Sequence, residues 1–282
     1  MVDHFPKGSV IREVNIEPAI MFGAGRALLL QLAHPSVAQG VEDHSDFKGN
    51  PFKRLQGTLE ATNAVVFGSK ELAGAVGRRI QWMHGFVRGA GYEANDPANL
   101  MWVHATLVDT ALLCYQDLVG PLSAAEQETY YQEMKLVAEA FGCPTSAQPA
   151  TLADFHRYFD DAVASLEVSA LGRDLIGFIL DPELPLNLHV PFKPLLGLQR
   201  RFTMGTLPPP VRERLGFAWS TADQVRFERG RSRVRAVVSR TPRSVRTAAN
   251  RLSMPLVLWQ AQRHVDQWKK SQSEREARRE VA

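Results

Sequence analysis

The chain has 282 residues, with 33 lysines and arginines against 30 aspartates and glutamates, and 45% of its residues are hydrophobic. This hydrophobic content is ordinary for a protein with a real core, so we expect a folded globular protein and exclude a disordered one. The longest apolar runs fall well short of the roughly 20 residues that a membrane-spanning helix needs. Because the first residues also lack the features of a secretory signal, the sequence predicts a cytoplasmic protein.

Helical periodicity recurs along the chain, and capping residues mark several helix starts. Ser69 is a suitable N-cap, and Asp96 followed by Pro97 is a strong helix-start signal. No alternating strand pattern of useful length is present, so the sequence predicts an all-α fold. The predicted helices, in chain order, are 17–33 (ended or kinked by Pro35), 36–44, 52–67, 70–89, 97–120, 123–141 and 151–166.

The second half of the chain differs in charge from the first. Residues 199–251 contain 13 arginines and 3 acidic residues, whereas residues 1–198 contain 14 basic and 23 acidic residues. Such a block is typical of a solvated helix face or of a surface that contacts an anionic membrane, and the valines between the arginines favour the membrane over nucleic acid. No nucleic-acid motif is present, so no nucleic-acid partner is expected.

Proline-rich breaks precede and interrupt this basic region, at 181–194 and at 207–210. The tail has too few apolar residues to form a core of its own. We therefore predict one large helical domain over residues 1–240 and a basic helical extension over residues 241–282.

Four polar residues lie within apolar helical stretches of the first half: Arg54, Thr58, His84 and His104. A buried polar group without a partner costs about 1–3 kcal/mol, so a histidine on a core-facing stripe is hydrogen-bonded, charged or bound to a ligand. One such histidine is usually a satisfied core residue. Several close together indicate a buried ligand.

The other polar patterns indicate no particular chemistry by themselves. Arg54 and Thr58 share a helix face and could bind an anionic oxygen, but an ion pair with Glu60 would explain Arg54 equally well. His34 is expected to hydrogen-bond at a helix end, and His44 lacks the spacing of di-iron or zinc-protease ligands. Hydrolase, nucleotide-binding and dinucleotide-binding motifs are absent. A helical fold that buries histidine and arginine is compatible with haem.

Several motifs in a fixed order give a more specific indication. Together they resemble the DUF2236 family, which includes the latex-clearing rubber oxygenases and the fungal MpaB-type oxygenases. The resemblance covers roughly residues 15–240. The motifs are LAHPSVAQGVEDHS (32–45), RLQGT (54–58), HGFVRG (84–89), ANDP (94–97) and WVHATL (102–107).

The resemblance implies an all-α, globin-like helical bundle around a b-type haem, with dioxygen used to cleave a carbon–carbon double bond. The family's Arg-x-x-x-Thr pair matches Arg54 and Thr58, beside the haem pocket. Its proximal histidine matches His84, with His104 as the alternative. Glu42 and His44 are candidates for polar groups on the distal side of the haem.

One position departs from the rubber oxygenases, which carry a lysine that can cap the iron directly before the threonine. Here that position is Gly57, so space opens above the metal and polyisoprene becomes a doubtful substrate. We expect a haem-dependent oxygenase that acts on a smaller unsaturated isoprenoid or lipid-like substrate, in peripheral contact with membranes through its basic region. The competing expectation is a non-catalytic protein that binds haem or a lipid.

Overall fold

A computed structural model describes residues 2–45, 51–180 and 186–280; the side chains of residues 51–55, 178, 186–195 and 279–280 lie outside this description. Most of the described backbone is helical, which confirms the predicted all-α fold. The strands within the described ranges are two short ones, β1 (Arg88–Gly89) and β2 (Tyr92–Glu93), which pair antiparallel.

The helices follow one another with short connections. A 3-10 helix at Pro18–Gly23 leads directly into the second α-helix, and a further 3-10 turn spans Thr145–Ala147. The α-helices are α1 (Val10–Asn15), α2 (Ala24–Ala33), α3 (Pro35–His44), α4 (Pro51–Phe67), α5 (Lys70–His84), α6 (Pro97–Leu118), α7 (Ala124–Ala140), α8 (Leu152–Ser165), α9 (Ala170–Leu180), α10 (Leu186–Thr206), α11 (Pro209–Arg214), α12 (Thr221–Arg240), α13 (Arg243–Arg246) and α14 (Ala248–Glu280).

Side-chain caps fix several helix starts where the sequence predicts them. The Ser69 hydroxyl accepts from a backbone N–H of the first turn of α5, and the Asp96 carboxylate does the same for α6. Ser123 and Thr151 form capping boxes at α7 and α8. Each cap satisfies backbone donors that have no partner inside the helix.

Three predicted boundaries are wrong. Helix α5 ends at His84 rather than Gly89, because the chain turns there into the β1–β2 hairpin. The predicted helix 17–33 is 3-10 up to Gly23, where a Cβ would collide with side chains of α6. The predicted break at 181–194 is helical from Leu186 onward, and its first five residues lie outside the described residues.

Helices α2 and α6 form the centre of the fold. Helix α14, near the end of the chain, packs against helices of its first half. Leu29, Leu30 and Leu32 of α2 are fully buried, and α6 packs against α2 and α7. Helix α14 lies along α4 and α5, where Ala261 and Val265 are buried in a cluster with residues of both helices. None of the helices in the described ranges combines the length and apolar character needed to cross a bilayer.

Candidate active site

A cavity of about 310 Å³ lies among α2, α4, α6, α7 and α14. Its volume is at the lower end of the roughly 300–1,000 Å³ that ligand pockets occupy. Apolar side chains form most of its wall, so the cavity suits a hydrophobic ligand of modest size. These side chains are Ile20, Met21, Ala24, Ala27, Leu28, Leu59, Leu107, Ala111, Met134, Val137, Phe141, Met254 and Val257.

His104 supplies an unsatisfied polar atom in this apolar wall. The side chain is 6% exposed, and its Nε2 has no hydrogen-bond partner among the residues that the structure describes. Burial lowers the pKa of His104 to about 4, so the imidazole is neutral at physiological pH. A neutral imidazole nitrogen beside a cavity is ready to accept from, donate to or coordinate a bound group.

Gln31 is another polar residue of the cavity wall, and Thr106 is its hydrogen-bond partner. The Gln31 side chain on α2 donates to the Thr106 hydroxyl of α6 over 3.0 Å, and Thr106 in turn donates to the Val103 carbonyl oxygen. These bonds hold Gln31, a wall residue, in place. The Gln31 side of the wall is thus fixed by the packing of α2 on α6.

Residues of α4 and α14 form the rim of the cavity. Thr58 of α4 and Ser253 of α14 both line the cavity and are also exposed to solvent. Next to Thr58, a Cβ on Gly57 would have no atom of the described residues within 4 Å. Gly57 therefore leaves room beside the rim.

A buried ion pair fixes α13, directly before α14, against the N-terminal part of the chain. Glu17 is fully buried, and both of its carboxylate oxygens accept from Arg246, at 2.8 and 2.9 Å. Arg243 approaches the same carboxylate at 3.4 Å, and the Asn250 side chain donates to the Ile16 carbonyl oxygen over 2.9 Å. Glu17 and Asn250 also line the cavity, so this ion pair holds the wall that α14 provides.

A second buried ion pair lies at the α2–α6 contact. Arg26 is 3% exposed and pairs with Asp109 at 2.6 Å, while it also donates to the Thr110 hydroxyl. Thr110 lines the cavity. Sequence reasoning missed both ion pairs, because Arg26 and Glu17 lie in stretches that look uniformly apolar and their partners are distant in the chain.

His84 lies elsewhere, at the end of the α4–α5 pair. Only Gly68 and Ser69 separate these packed helices, so they run antiparallel. Arg54 lies 13 residues before the last residue of α4, and His84 lies 14 residues after the first residue of α5. Both therefore lie roughly 20 Å from the connection between the two helices. The Arg54 side chain lies outside the described residues. His84 is half-buried and is not among the described residues that line the cavity.

The C-terminal end of α3 contacts the β1–β2 hairpin, which follows α5. It therefore lies at the same end of the bundle as His84. His44 is exposed, with its Nε2 3.0 Å from the Tyr92 hydroxyl. Tyr92 donates to the Asp43 carboxylate over 2.6 Å, and this bond raises the pKa of Tyr92 to about 12. Glu42 is also exposed there. The structure thus brings His44 and Glu42 close to the end of α5 and keeps them out of the cavity.

His34 occupies the junction of α2 and α3, but the predicted helix-end hydrogen bond of its side chain is wrong, because its Nδ1 is buried with no partner among the described residues. It is the C-cap residue of α2 and the N-cap residue of α3. Its ring lies 6.1 Å from the Trp102 ring, and burial lowers its pKa. His34 therefore belongs to the packing of the core and is not a wall residue of the cavity.

Comparison with known families identifies the family of this chain. The model of the family described as ER-bound oxygenase mpaB/B'/Rubber oxygenase, catalytic domain, matches residues 11–236. The chain belongs to this family. The resemblance found from the motifs is confirmed, and the family supports an oxygenase, that is, an oxidoreductase.

Individual relatives extend the similarity without adding a function. An uncharacterized protein of Mycobacterium bovis and one of Mycobacterium tuberculosis are each 28% identical to this chain over 211 residues. The similarity covers 71% of this chain and 82% of each relative. No solved structure matches the chain significantly. Helices α13 and α14 lie beyond the family match, although α14 forms part of the cavity wall.

Proposed function

We propose that this protein is a haem-b-dependent oxygenase that uses dioxygen to oxidise a small unsaturated hydrophobic substrate of the isoprenoid or lipid type. One observation carries the proposal: a domain of an oxygenase family contains an apolar cavity with a buried, neutral histidine in its wall. An apolar wall selects a hydrophobic substrate, and a water-poor cavity protects a reactive oxygen species from side reactions.

The donor set of the chain fits a haem group. Haem iron needs one or two axial donors, and neutral imidazole is a common one. The Nε2 of His104 supports this fit, because it is a buried imidazole nitrogen with no hydrogen-bond partner among the described residues. When bound, haem supplies the iron at which dioxygen is activated.

We assign the axial role to His84, as the family resemblance implies, with His104 as the competing candidate. The antiparallel α4–α5 pair supports this assignment, because the start of α4, with Arg54, runs beside the end of α5, with His84. Arg54 would pair with a haem propionate there. Thr58, one turn further along α4, connects this end of the bundle with the cavity rim.

In this arrangement the cavity is the substrate chamber. Its apolar side chains hold the hydrocarbon part of the substrate and exclude water. His104, being neutral, orients a polar group of the substrate or of the bound oxidant by a hydrogen bond from the wall. Thr58 and Ser253 provide hydroxyl groups at the entrance.

The domain organisation follows from the same proposal. Residues 1–240 form the oxygenase domain, and the extension 241–282 closes one side of its chamber through α14. We also propose that the basic extension keeps the protein in peripheral contact with membranes, in which substrates of this type dissolve.

The test is oxygen uptake by protein that has been expressed with a haem precursor, in the presence of isoprenoid alkenes and unsaturated fatty acids. An oxygenase consumes dioxygen in proportion to the product formed, and heat-denatured protein with the same haem content serves as the control. A protein that binds haem and these lipids but consumes no dioxygen with any of them is a carrier, which would contradict the proposal.

A further inference from the structure

The first half of α14 has two apolar faces on opposite sides of the helix. On the inner face, Asn250, Met254 and Val257 line the cavity, and Ala261 and Val265 continue this face into the core. The other face carries Leu252, Leu256 and Trp259, at the spacing i, i+4 and i+7 of a single helix stripe. We call these three residues the outer stripe.

The outer stripe is largely exposed. Leu252 is 81% exposed, Leu256 54% and Trp259 53%. A single exposed leucine is common on protein surfaces, but three large apolar side chains in register on one helix form a contact surface. Tryptophan with leucine on one helix face is also the composition of helices that lie in a membrane interface.

The segment that contains the outer stripe is basic. From Arg229 to Val265 the sequence contains nine arginines and no aspartate or glutamate, although Arg231, Arg243 and Arg246 pair with carboxylates of other segments. Two of these arginines flank the stripe within α14: Arg251 is exposed, and the guanidinium carbon of Arg263 lies 4.7 Å from the centre of the Trp259 ring. An anionic surface therefore complements the stripe and its surroundings.

We propose that the outer stripe docks the protein on an anionic lipid bilayer, with Leu252, Leu256 and Trp259 inserted among the lipids and the arginines on the headgroups. A second copy of the chain is a poorer occupant, because a symmetric contact would bring two arginine-rich segments together. The bilayer satisfies both the apolar and the ionic character of this face.

Docking in this way would give the cavity direct access to lipid-soluble molecules. Only the thickness of one helix, about 10 Å, separates the outer stripe from Met254 and Val257 in the cavity wall. Ser253, on the rim, directly follows Leu252. The docking assigns residues to the membrane contact proposed above, and its link to substrate entry rests on the proposed oxygenase function.

The test is co-sedimentation of the full-length protein with vesicles of phosphatidylcholine alone or of phosphatidylcholine mixed with phosphatidylglycerol. We expect binding to the mixed vesicles, weakened by salt, and a loss of about tenfold or more in the Leu252→Ser/Leu256→Ser/Trp259→Ser variant. The matched control is Phe86→Ser/Leu136→Ser, which removes exposed apolar side chains elsewhere. Circular dichroism verifies that each variant is folded.

Three results would overturn the docking proposal. The first is sedimentation of the triple variant with anionic vesicles as complete as that of the wild type, and the second is equal binding of the wild type to neutral vesicles. Alternatively, analytical ultracentrifugation would reveal a dimer that the triple variant abolishes, making the stripe an interface between copies. Oxygen uptake with a detergent-dispersed substrate is measured in parallel, so that loss of docking and absence of oxygenase activity are distinguished.

Discussion

The ion pair between Glu17 and Arg246 is the contact most directly testable by mutation. Replacing one partner of a buried ion pair typically costs about 3–5 kcal/mol, since the other charge is left buried without compensation. In Arg246→Met, Glu17 keeps Arg243 at 3.4 Å, and the Arg246 side chain is itself 18% exposed. We therefore expect a smaller loss, of about 2–3 kcal/mol in the free energy of unfolding.

Thermal and urea unfolding followed by circular dichroism measure this loss. For a chain of this size, about 2–3 kcal/mol corresponds to a decrease in Tm of roughly 5–10 °C. Arg251→Met is the matched control, because Arg251 is an exposed arginine in the next helix, α14, and it should change the free energy by less than about 0.5 kcal/mol.

A double-mutant cycle then isolates the pair. The Glu17→Gln/Arg246→Met protein should lose less stability than the sum of the two single losses, because the second substitution removes a charge that is already unpaired. The reasoning is refuted if Arg246→Met unfolds like Arg251→Met, or if the two single effects simply add.

Three further predictions concern the cavity and the packing around it. Because the pKa of His104 falls from 6.5 in the unfolded chain to about 4 in the folded one, its contribution to stability is complete above pH 6.5 and is lost as the pH falls towards 4. The wild type should therefore lose about 2 kcal/mol more than His104→Gln between pH 8 and pH 5 in urea unfolding. Gly77→Ala should cost about 1–3 kcal/mol, because its Cβ would collide with a carbonyl oxygen of α7, whereas Gly74→Ala on the same helix should be neutral or stabilising; equal effects would contradict the close helix contact. Met254→Trp should fill the cavity and reduce oxygen uptake at low substrate concentration, and the outward Leu256→Trp should leave it unchanged in detergent.

The sequence was sufficient for the features that depend on local chemistry. Caps such as Ser69 and Asp96 act within one turn of the chain, so their residue types mark the helix starts directly. The family motifs likewise lie in short segments and identified an oxygenase domain before any contact was known.

Features that depend on contacts between distant residues were not predictable in the same way. Arg246 reaches Glu17 across 229 positions, and no pattern near either residue indicates the other. The end of α5 at His84 depends on the pairing of β1 with β2, which involves strands too short to show alternation. The sequence placed His104 on a buried face, but only the packing of α2, α6 and α14 shows that this face borders a cavity.

The most direct test of the account is the visible absorption spectrum of wild type, His84→Ala and His104→Ala, each expressed with a haem precursor and recorded before and after reduction with dithionite. We predict a stoichiometric Soret band that shifts on reduction in the wild type, its loss in His84→Ala, and its retention in His104→Ala with weaker substrate turnover. Loss of the band in His104→Ala alone would transfer the axial role to the cavity histidine. A wild-type protein that stays colourless and takes up no added haemin would contradict the haem-dependent oxygenase.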